Sequence, residues 1–506
     1  MTISVAHTGQ TGAAIARLAK AWQLSRWAPF LLVLVAALLL RGHVVANVDV
    51  SWMLTVAEKV LDGERLYVDV IEINPPAAVF LYVPPVAIAR ALGVRPETVM
   101  DVLVLLAACL SIGLAGGILT RARLLDGDGW RLAALTAGIL TILPAHTFGD
   151  RDPVAVIAFL PALAVYAARS IRAPVPLAHA IVAGLACAAT TLIKPHLVLA
   201  IMASALATAV CARSWRPLIA LEHWIAGALL AAYAVVIAVA FPAFIRDVIP
   251  LVAATYVARP FVVLELLLIA FGLWFAALAL VWDARRRAVL DPPLCVLLAA
   301  SFGAAMAFLA QSKGWPYQSF PMLALALLAL ALSGNAPGAT TVGAPPARRL
   351  LTKTVAAGVV AVASFCWMNR SFDVSGFVDR VARLNPHPSM LAITADIALG
   401  HPLVREVGGV WVGRVCSNWI ASGAVMRRNY QALDAASAAV LDRYETLDRA
   451  MLAQDIRRAR PDIILVEKVN FDWEAWARAD PALREQLDGY READNFMGIA
   501  ILRRDR

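Results

Sequence analysis

Residues 47–76 read NVDVSWMLTVAEKVLDGERLYVDVIEINPP and contain eight charged side chains. This stretch follows an apolar stretch at 26–42 and precedes a short, proline-rich apolar stretch at 77–93. Charged groups at a membrane boundary are costly unless they are paired or functional. The pattern therefore predicts a functional loop at the end of a membrane span.

The composition extends this prediction to the whole chain. The 506 residues are 61% hydrophobic and 16% charged, with a mean hydropathy of +0.71, well above the roughly 45–50% apolar content of soluble domains. Residues 370–506 contain 19 Lys and Arg and 19 Asp and Glu, so the net charge of +9 belongs to the first 369 residues. We expect a polytopic α-helical membrane protein whose basic loops set its topology, without a nucleic-acid partner.

Eleven apolar stretches approach the roughly 20 residues that a helix needs to span a bilayer. They are residues 26–42, 99–120, 131–148, 153–169, 176–193, 197–212, 222–243, 261–282, 293–311, 315–333 and 351–368. The stretch at 77–93 is short, contains Pro84 and Pro85 and directly follows Pro75 and Pro76, so hydropathy does not decide whether it crosses.

The basic loops decide this question through the positive-inside rule. If 77–93 lies in the interface, the later basic clusters share the side of the N-terminal Arg17, Lys20 and Arg26; those clusters are at 121–123, 169–172, 213–216, 285–287 and 348–353. If it crosses, every later cluster changes side. We therefore expect about 11 transmembrane helices and interfacial helices in the first outer loop, at 43–98.

The predicted organisation has three parts. Residues 1–25 form a cytoplasmic N-terminus, 26–368 a transmembrane domain and 369–506 a small α/β domain in the periplasm. A cleavable signal peptide around Pro29–Leu40 is the alternative for the N-terminus. In the C-terminal domain the pattern predicts strands at 389–394, 462–466 and 497–502, and helices at 433–460 and 472–487.

With this topology the outer loops collect a set of polar and aromatic candidates. The carboxylates are Asp49, Asp150 and Asp152, and the candidates for binding a substrate or a lipid phosphate are Tyr67, Glu72, Asn74, Arg151, Lys194, His196, Arg259, Lys313, Trp315, Tyr317 and Gln318. Carboxylates can act as a general base or hold a divalent cation, and cations can hold a phosphate. Both are needed when a sugar leaves a lipid phosphate with inversion, which requires no covalent intermediate.

These residues resemble the GT-C superfamily of polyprenyl-phosphate-dependent glycosyltransferases, in particular its branch of protein O-mannosyltransferases and lipid A aminoarabinose transferases. The resemblance covers roughly residues 25–330 and implies Asp49 as the catalytic base and Asp152, with Asp150, as the second acid. It also implies a basic residue before Pro75-Pro76, where this chain has Asn74. Lys194, Lys313 or Arg259 would then contact the phosphate, and Lys313 is favoured because Gly314 and Pro316 confine its turn.

What the resemblance implies is an inverting glycosyltransferase of the bacterial inner membrane. It would move a hexosyl or pentosyl unit from a polyprenyl-phosphate donor to a periplasmic or lipid-linked glycan or protein, among membrane lipids. No cofactor is required by the pattern, and a divalent cation held by Asp49, Asp150 and Asp152 is left open. Other functions remain open: a lipid or solute transporter, or a scaffold for envelope assembly. The residues also have structural interpretations. Asp152 before Pro153 suits a helix N-cap, Lys194 and His196 could snorkel, and Trp315 and Tyr317 could anchor an aromatic belt.

Overall fold

The computed structural model describes residues 26–125, 129–257, 264–285, 290–334 and 347–505. The predicted N-terminal segment 1–25 and the candidate Arg259 lie outside these residues.

The helical body is built from α1 (26–41) and the helices that follow it. These are α2 (Val48–Leu61), α3 (Pro76–Phe80), α4 (Val83–Leu92), α5 (Pro96–Arg121), α6 (Gly129–Thr141), α7 (Arg151–Ser170), α8 (Leu177–Ile193), α9 (Val198–Cys211), α10 (Leu221–Ala240), α11 (Ile249–Val252), α12 (Leu264–Arg285), α13 (Pro292–Gln311), α14 (Pro316–Gly334) and α15 (Ala347–Met368). Two π-helical turns, Phe244–Val248 and Ala253–Val257, flank α11.

Each of the eleven predicted spans coincides with one of these helices. Among the described residues, however, seven helices are long and apolar enough to cross a membrane, and α8 and α9 are shorter apolar helices. The shortening is clear in α6, which ends at Thr141 rather than near residue 148, because Pro144 and the turn Ala145–Thr147 interrupt it. The helical membrane body agrees with the sequence prediction, and the number of spans stays a prediction.

The basic loop residues lie at one end of the bundle. Arg169 is near the end of α7, the helix that begins at Arg151, and it pairs with Glu222 at 2.7 Å. Arg285 pairs with Asp291 just before α13, at the end opposite Gln311. This separation of basic loops from the other end is the pattern that the charge argument requires.

The segment 76–92 does not traverse the bundle. It forms two short helices, α3 and α4, and both of its ends lie at the same end of the molecule. At its end, Arg90 pairs with Asp62 of the first loop at 2.8 Å. Just before its beginning, the Ile71 N–H donates to the Arg414 carbonyl of the C-terminal region at 2.7 Å.

The C-terminal region forms a five-stranded sheet in the order β2-β1-β3-β5-β4. Strands β1 (Ser389–Ile393), β2 (Val410–Trp411) and β3 (Ile463–Glu467) are parallel, while β4 (Tyr490–Phe496) and β5 (Ile499–Arg504) form an antiparallel hairpin. The helices around it are α16 (Ser375–Leu384), α17 (Leu403–Glu406), α18 (Trp419–Tyr430), α19 (Ala435–Ala459), α20 (Trp473–Arg478) and α21 (Pro481–Leu487). β1 and β3 are buried throughout their centres, as strands covered on both faces are.

Several elements differ from the sequence prediction. The predicted loop around Asp49 is the helix α2, which Asn47 caps by accepting from the Asp49 N–H. The short strand β2 and the mostly exposed β4 lack the apolar run that marked the other strands. The predicted helix 472–487 is divided into α20 and α21 by Asp480 and Pro481, which start a new helix.

The C-terminal domain packs against the end of the bundle that carries the first loop. Arg405 pairs with Glu58 of α2 at 2.8 Å and with Glu97 of α5 at 2.5 Å. Gly423 of α18 lies against the turn after α11 so closely that a Cβ there would collide with the Thr255 carbonyl oxygen. The domain is thus a fixed part of the surface around the candidate site.

Candidate active site

The predicted carboxylates come together from two segments separated by about a hundred residues. Asp49 lies in the first turn of α2, and Asp150 and Asp152 lie at the start of α7. The close approach depends on Gly149, where a Cβ would lie 3.4 Å from Val50 Cγ1 and 3.3 Å from Met100 Cγ. Tyr82 of α4 also fixes this turn by donating to the Gly149 carbonyl at 2.9 Å.

Asp150 caps helix α7. Its carboxylate accepts from the Arg151 N–H at 2.6 Å and from the Asn47 side-chain amide at 3.2 Å. The prediction that Asp152 is the N-cap was therefore wrong by two residues: the helix begins at Arg151, and Asp150 is its N-cap. Burial, followed by the nearby charge of Asp49, raises the pKa of the Asp150 carboxyl. Its contacts make Asp150 a structural support for the turn.

Arg151 lies between Asp49 and Asp150. Its guanidinium is 3.9 Å from each carboxylate, measured from Nη2 to Asp49 Oδ2 and from Nε to Asp150 Oδ1. These distances are too long for hydrogen bonds. The Asp49 side chain is 22% exposed, whereas those of Asp150 and Asp152 are 0% and 1% exposed. Asp49 is thus the carboxylate of the three that solvent or a substrate can reach.

Asp152 forms a buried ion pair with Lys194. Nζ of Lys194 is 2.7 Å from Asp152 Oδ2, and both side chains are less than a tenth exposed. The same ammonium lies 5.6 Å from the centre of the Tyr317 ring. Lys194 follows α8 directly and precedes Pro195, so it ends that helix and turns inward instead of snorkelling.

Tyr67, Glu72 and Asn74 hold the first loop in place. The buried Glu72 carboxylate accepts from the Trp52 indole and from the Asn74 backbone N–H and side-chain amide. Tyr67 donates to the Asn74 carbonyl at 2.6 Å. Burial raises the pKa of Glu72 despite these donors. Asn74, which stands where the resemblance implies a cation, is thus engaged within the loop.

The remaining candidates are placed around this cluster. Lys313 donates to the Tyr256 carbonyl at 3.0 Å and lies 4.7 Å from the centre of that ring. Trp315 lies 6.2 Å from Tyr317, ring to ring. Gln318 is buried, and His196 is exposed on the turn after Lys194. Lys194, rather than Lys313, is therefore the lysine beside the carboxylates.

The carboxylate cluster does not fit a divalent cation. Within the described ranges, no group of three or more His, Cys, Asp or Glu residues is placed to hold a metal ion. Arg151 stands between Asp49 and Asp150, and Lys194 is paired with Asp152. A metal would have to displace these positive groups, so the positive charge at this site comes from the chain itself.

Three residues of the site were not among the sequence candidates. Asn47 links α2 to Asp150, Trp52 donates to Glu72, and Tyr82 holds the Gly149 turn. A capping signal exists for Asn47, because Asn is a preferred N-cap before a helix. Trp52 and Tyr82 lie in apolar segments that look like packing, and only the tertiary contacts distinguish them.

Comparison with known proteins finds a similar fold in solved structures but no relative by sequence. No protein-family model matches the sequence, and no curated protein matches it. Among solved structures, ArnT from Cupriavidus metallidurans, bound to undecaprenyl phosphate, aligns with a TM-score of 0.55 at 15% identity, covering 96% of this chain and 98% of ArnT. The oligosaccharyltransferase AglB from Archaeoglobus fulgidus aligns at 14% identity and a TM-score of 0.43, covering 94% of this chain and 73% of AglB.

The alignment with ArnT extends over nearly the full length of both chains, so it includes the C-terminal domain as well as the helical body. The chain therefore has the fold of ArnT over nearly its whole length.

Proposed function

We propose that the chain is an inverting glycosyltransferase that takes a sugar from a polyprenyl-phosphate donor. The undecaprenyl phosphate in the ArnT structure supports a donor of this class. The acceptor is a hydroxyl-bearing molecule of the cell envelope, a lipid-linked glycan or a protein. The enzyme lies in the bacterial inner membrane, with its active site and C-terminal domain on the periplasmic side.

The observation that carries the proposal is the division of roles among the acidic residues. Asp150 is a buried helix cap and Asp152 is neutralised by Lys194. The Asp49 carboxylate is accessible, and within the described ranges its one oppositely charged neighbour is Arg151, at a long distance. An oxygen lone pair of Asp49 is therefore available to accept a proton. A general base must reach the proton that it removes, within about 2.6–3.2 Å between heavy atoms.

The reaction follows from this arrangement. Asp49 accepts the proton of the acceptor hydroxyl as its oxygen forms a bond to the anomeric carbon. The bond between that carbon and the phosphate oxygen breaks on the opposite face, and the phosphate leaves with the electron pair. Lys194 has three N–H donors, so it can hold Asp152 and still donate to the departing phosphate. A single displacement inverts the anomeric configuration.

Purified protein and a panel of sugar-loaded polyprenyl phosphates test the proposal. We expect one donor to be consumed, with release of polyprenyl phosphate and formation of a glycoside of the opposite anomeric configuration. A donor that is bound and moved across a vesicle bilayer without cleavage would indicate a transporter instead. Retention of the anomeric configuration would contradict the single displacement.

A further inference from the structure

A cavity lies between the membrane body and the C-terminal domain. Its volume is about 610 Å³, within the range of roughly 300–1,000 Å³ that is typical of small-ligand sites. Its walls include residues 43–48, 146–147, 315–317, 369–375 and 396–398. The cavity is therefore lined by both parts of the chain, at the end of the bundle that carries Asp49.

This cavity adjoins the carboxylate cluster. Asn47 is one of its wall residues and also donates to Asp150. Tyr317 is another wall residue, and its ring lies 5.6 Å from Lys194 Nζ on the side of the cluster. A sugar in the cavity would thus have Asn47 and Tyr317 between its body and the reacting groups, and a hydroxyl that extends past these two side chains would reach Asp49.

The walls carry an excess of negative charge. Asp373, Asp379 and Asp396 all line the cavity, and within the described part of the chain none of them forms an ion pair. Arg370, which lies over the Trp367 ring, is the wall's one unpaired cation among those residues. Glu406 is neutralised by Arg95 at 2.6 Å. The field of such walls opposes the entry of an anion.

A buried histidine adds a second polar feature. His146 lines the cavity and is 9% exposed, and in the described part of the chain its Nδ1 atom has no hydrogen-bond partner. Burial lowers the pKa of His146 to about 4, so the ring is neutral at pH 7. A buried polar atom without a partner is costly unless a ligand or water satisfies it. A ligand bound in the cavity can supply the missing hydrogen-bond partner of His146 Nδ1.

Aromatic and uncharged polar side chains complete the lining. Trp315, Tyr317 and Phe372 offer flat apolar surfaces, and Asn369 and Ser371 offer hydrogen-bonding groups. A sugar ring has the matching surface, because its C–H groups form an apolar face and its hydroxyls form a polar rim. A phosphorylated ligand would meet three unpaired carboxylates on the same walls.

We propose that this cavity binds the acceptor, and that the acceptor is a sugar that is neutral or carries an amino group, with no phosphate near its reacting hydroxyl. The inference rests on the proposed function in one respect, since it takes the ligand of this cavity to be the acceptor. The cavity's preference for neutral or amino sugars over anionic ones stands on the charges of its walls alone.

Protection of a cysteine in the cavity tests the inference without any donor. The exposed wall residue Ser371 is changed to cysteine (Ser371→Cys) in the full chain, and its rate of alkylation by a maleimide is followed by mass spectrometry of the labelled peptide. The two probes are glucosamine and glucosamine 6-phosphate. We expect glucosamine to slow alkylation several-fold and glucosamine 6-phosphate to have little effect.

Variants identify the cause of this selectivity. Asp373→Asn with Asp379→Asn removes two exposed wall charges and should weaken protection by glucosamine while increasing protection by glucosamine 6-phosphate. Glu485→Gln, on an exposed face of α21 away from the cavity, is the matched control and should change neither. Equal protection by both sugars, or protection by neither, in the otherwise unchanged chain would overturn the inference. Because no donor is present, failure of the proposed transferase activity would leave this result unaffected.

Discussion

Lys194 Nζ lies 2.7 Å from Asp152 Oδ2, and the two side chains are buried together where α7 begins and α8 ends. A buried carboxylate without its partner is strongly destabilising, by roughly 3–5 kcal/mol. The pair therefore has a structural role in addition to the proposed contact of Lys194 with the phosphate. Its two roles can be separated by experiment.

A double-mutant cycle separates them. Lys194→Gln should lower the thermal midpoint of the purified protein markedly, because it leaves Asp152 buried without a cation. Adding Asp152→Asn to this variant should raise the thermal midpoint again, since both groups are then neutral. Donor binding should remain weak in both variants. Full recovery of donor binding in the double variant would remove Lys194 from the phosphate site.

The docking of the C-terminal domain should depend on Arg405. This buried side chain pairs with Glu58 and Glu97 across the interface, and losing hydrogen bonds to charged groups costs roughly 1–3 kcal/mol. We expect Arg405→Met to lower the thermal midpoint and to expose residues 369–505 to limited proteolysis. Arg457→Met, at an exposed position on α19, is the control. Equal protease resistance of the two variants would show that these ion pairs do not hold the domain.

The stability of the C-terminal domain should fall as pH rises from about 4 to about 7. Burial raises the pKa of Asp448 from 3.8 to about 7 in the folded chain, with Glu445 also raising it and Arg449 lowering it. The folded state therefore binds a proton that the unfolded state has released, and this contribution is present below the unfolded pKa and lost above the folded one. Asp448→Asn should flatten the profile of thermal midpoint against pH between those values. Asp442→Asn, on the exposed side of the same helix, should leave it unchanged; identical profiles for the two variants would contradict the assignment.

The topology predicts labelling on opposite sides of the membrane. Cysteines at position 49 and at the exposed position 196 should react with an impermeant thiol reagent from outside intact cells, whereas one at the exposed position 353 should react only after permeabilisation. The structure places Asp49 and the turn after Lys194 at one end of the bundle, and Lys353, which pairs with Asp283 near the end of α12, at the other. Labelling of positions 49 and 196 from opposite sides would contradict both the fold and the topology.

Much of this architecture was predictable because a bilayer imposes length and charge rules. The stretch 177–193 and the basic residues near Arg169 follow those rules, so hydropathy and the positive-inside pattern found the helices. The charge argument also predicted that the segment 76–92 does not cross. The helix at residues 48–61 was not predicted, because its charged and apolar residues resemble a loop at a membrane boundary, and its cap at Asn47 is a single-residue signal.

The site was predictable in its residue types and less so in its pairings. Sequence identifies Asp49, Asp152 and Lys194 as unusual at a membrane boundary, but it does not show which lysine reaches which acid. Lys313 looked the better phosphate contact because glycine and proline confine its turn. In the folded chain that ammonium meets the Tyr256 carbonyl. Pairings of this kind depend on contacts between segments far apart in sequence.

Turnover by an Asp49→Asn variant tests the central claim most directly. The purified protein and the variant are given the donor that the unchanged chain consumes, and the release of polyprenyl phosphate is measured beside donor binding and the thermal midpoint. Asp69→Asn, in the same loop but at the exposed ion pair with Arg65, is the control. We predict that Asp49→Asn binds the donor and keeps its thermal midpoint but loses about 10² to 10⁴ in turnover, as expected for a general base. Near-normal turnover in a folded, donor-binding Asp49→Asn preparation would contradict the account.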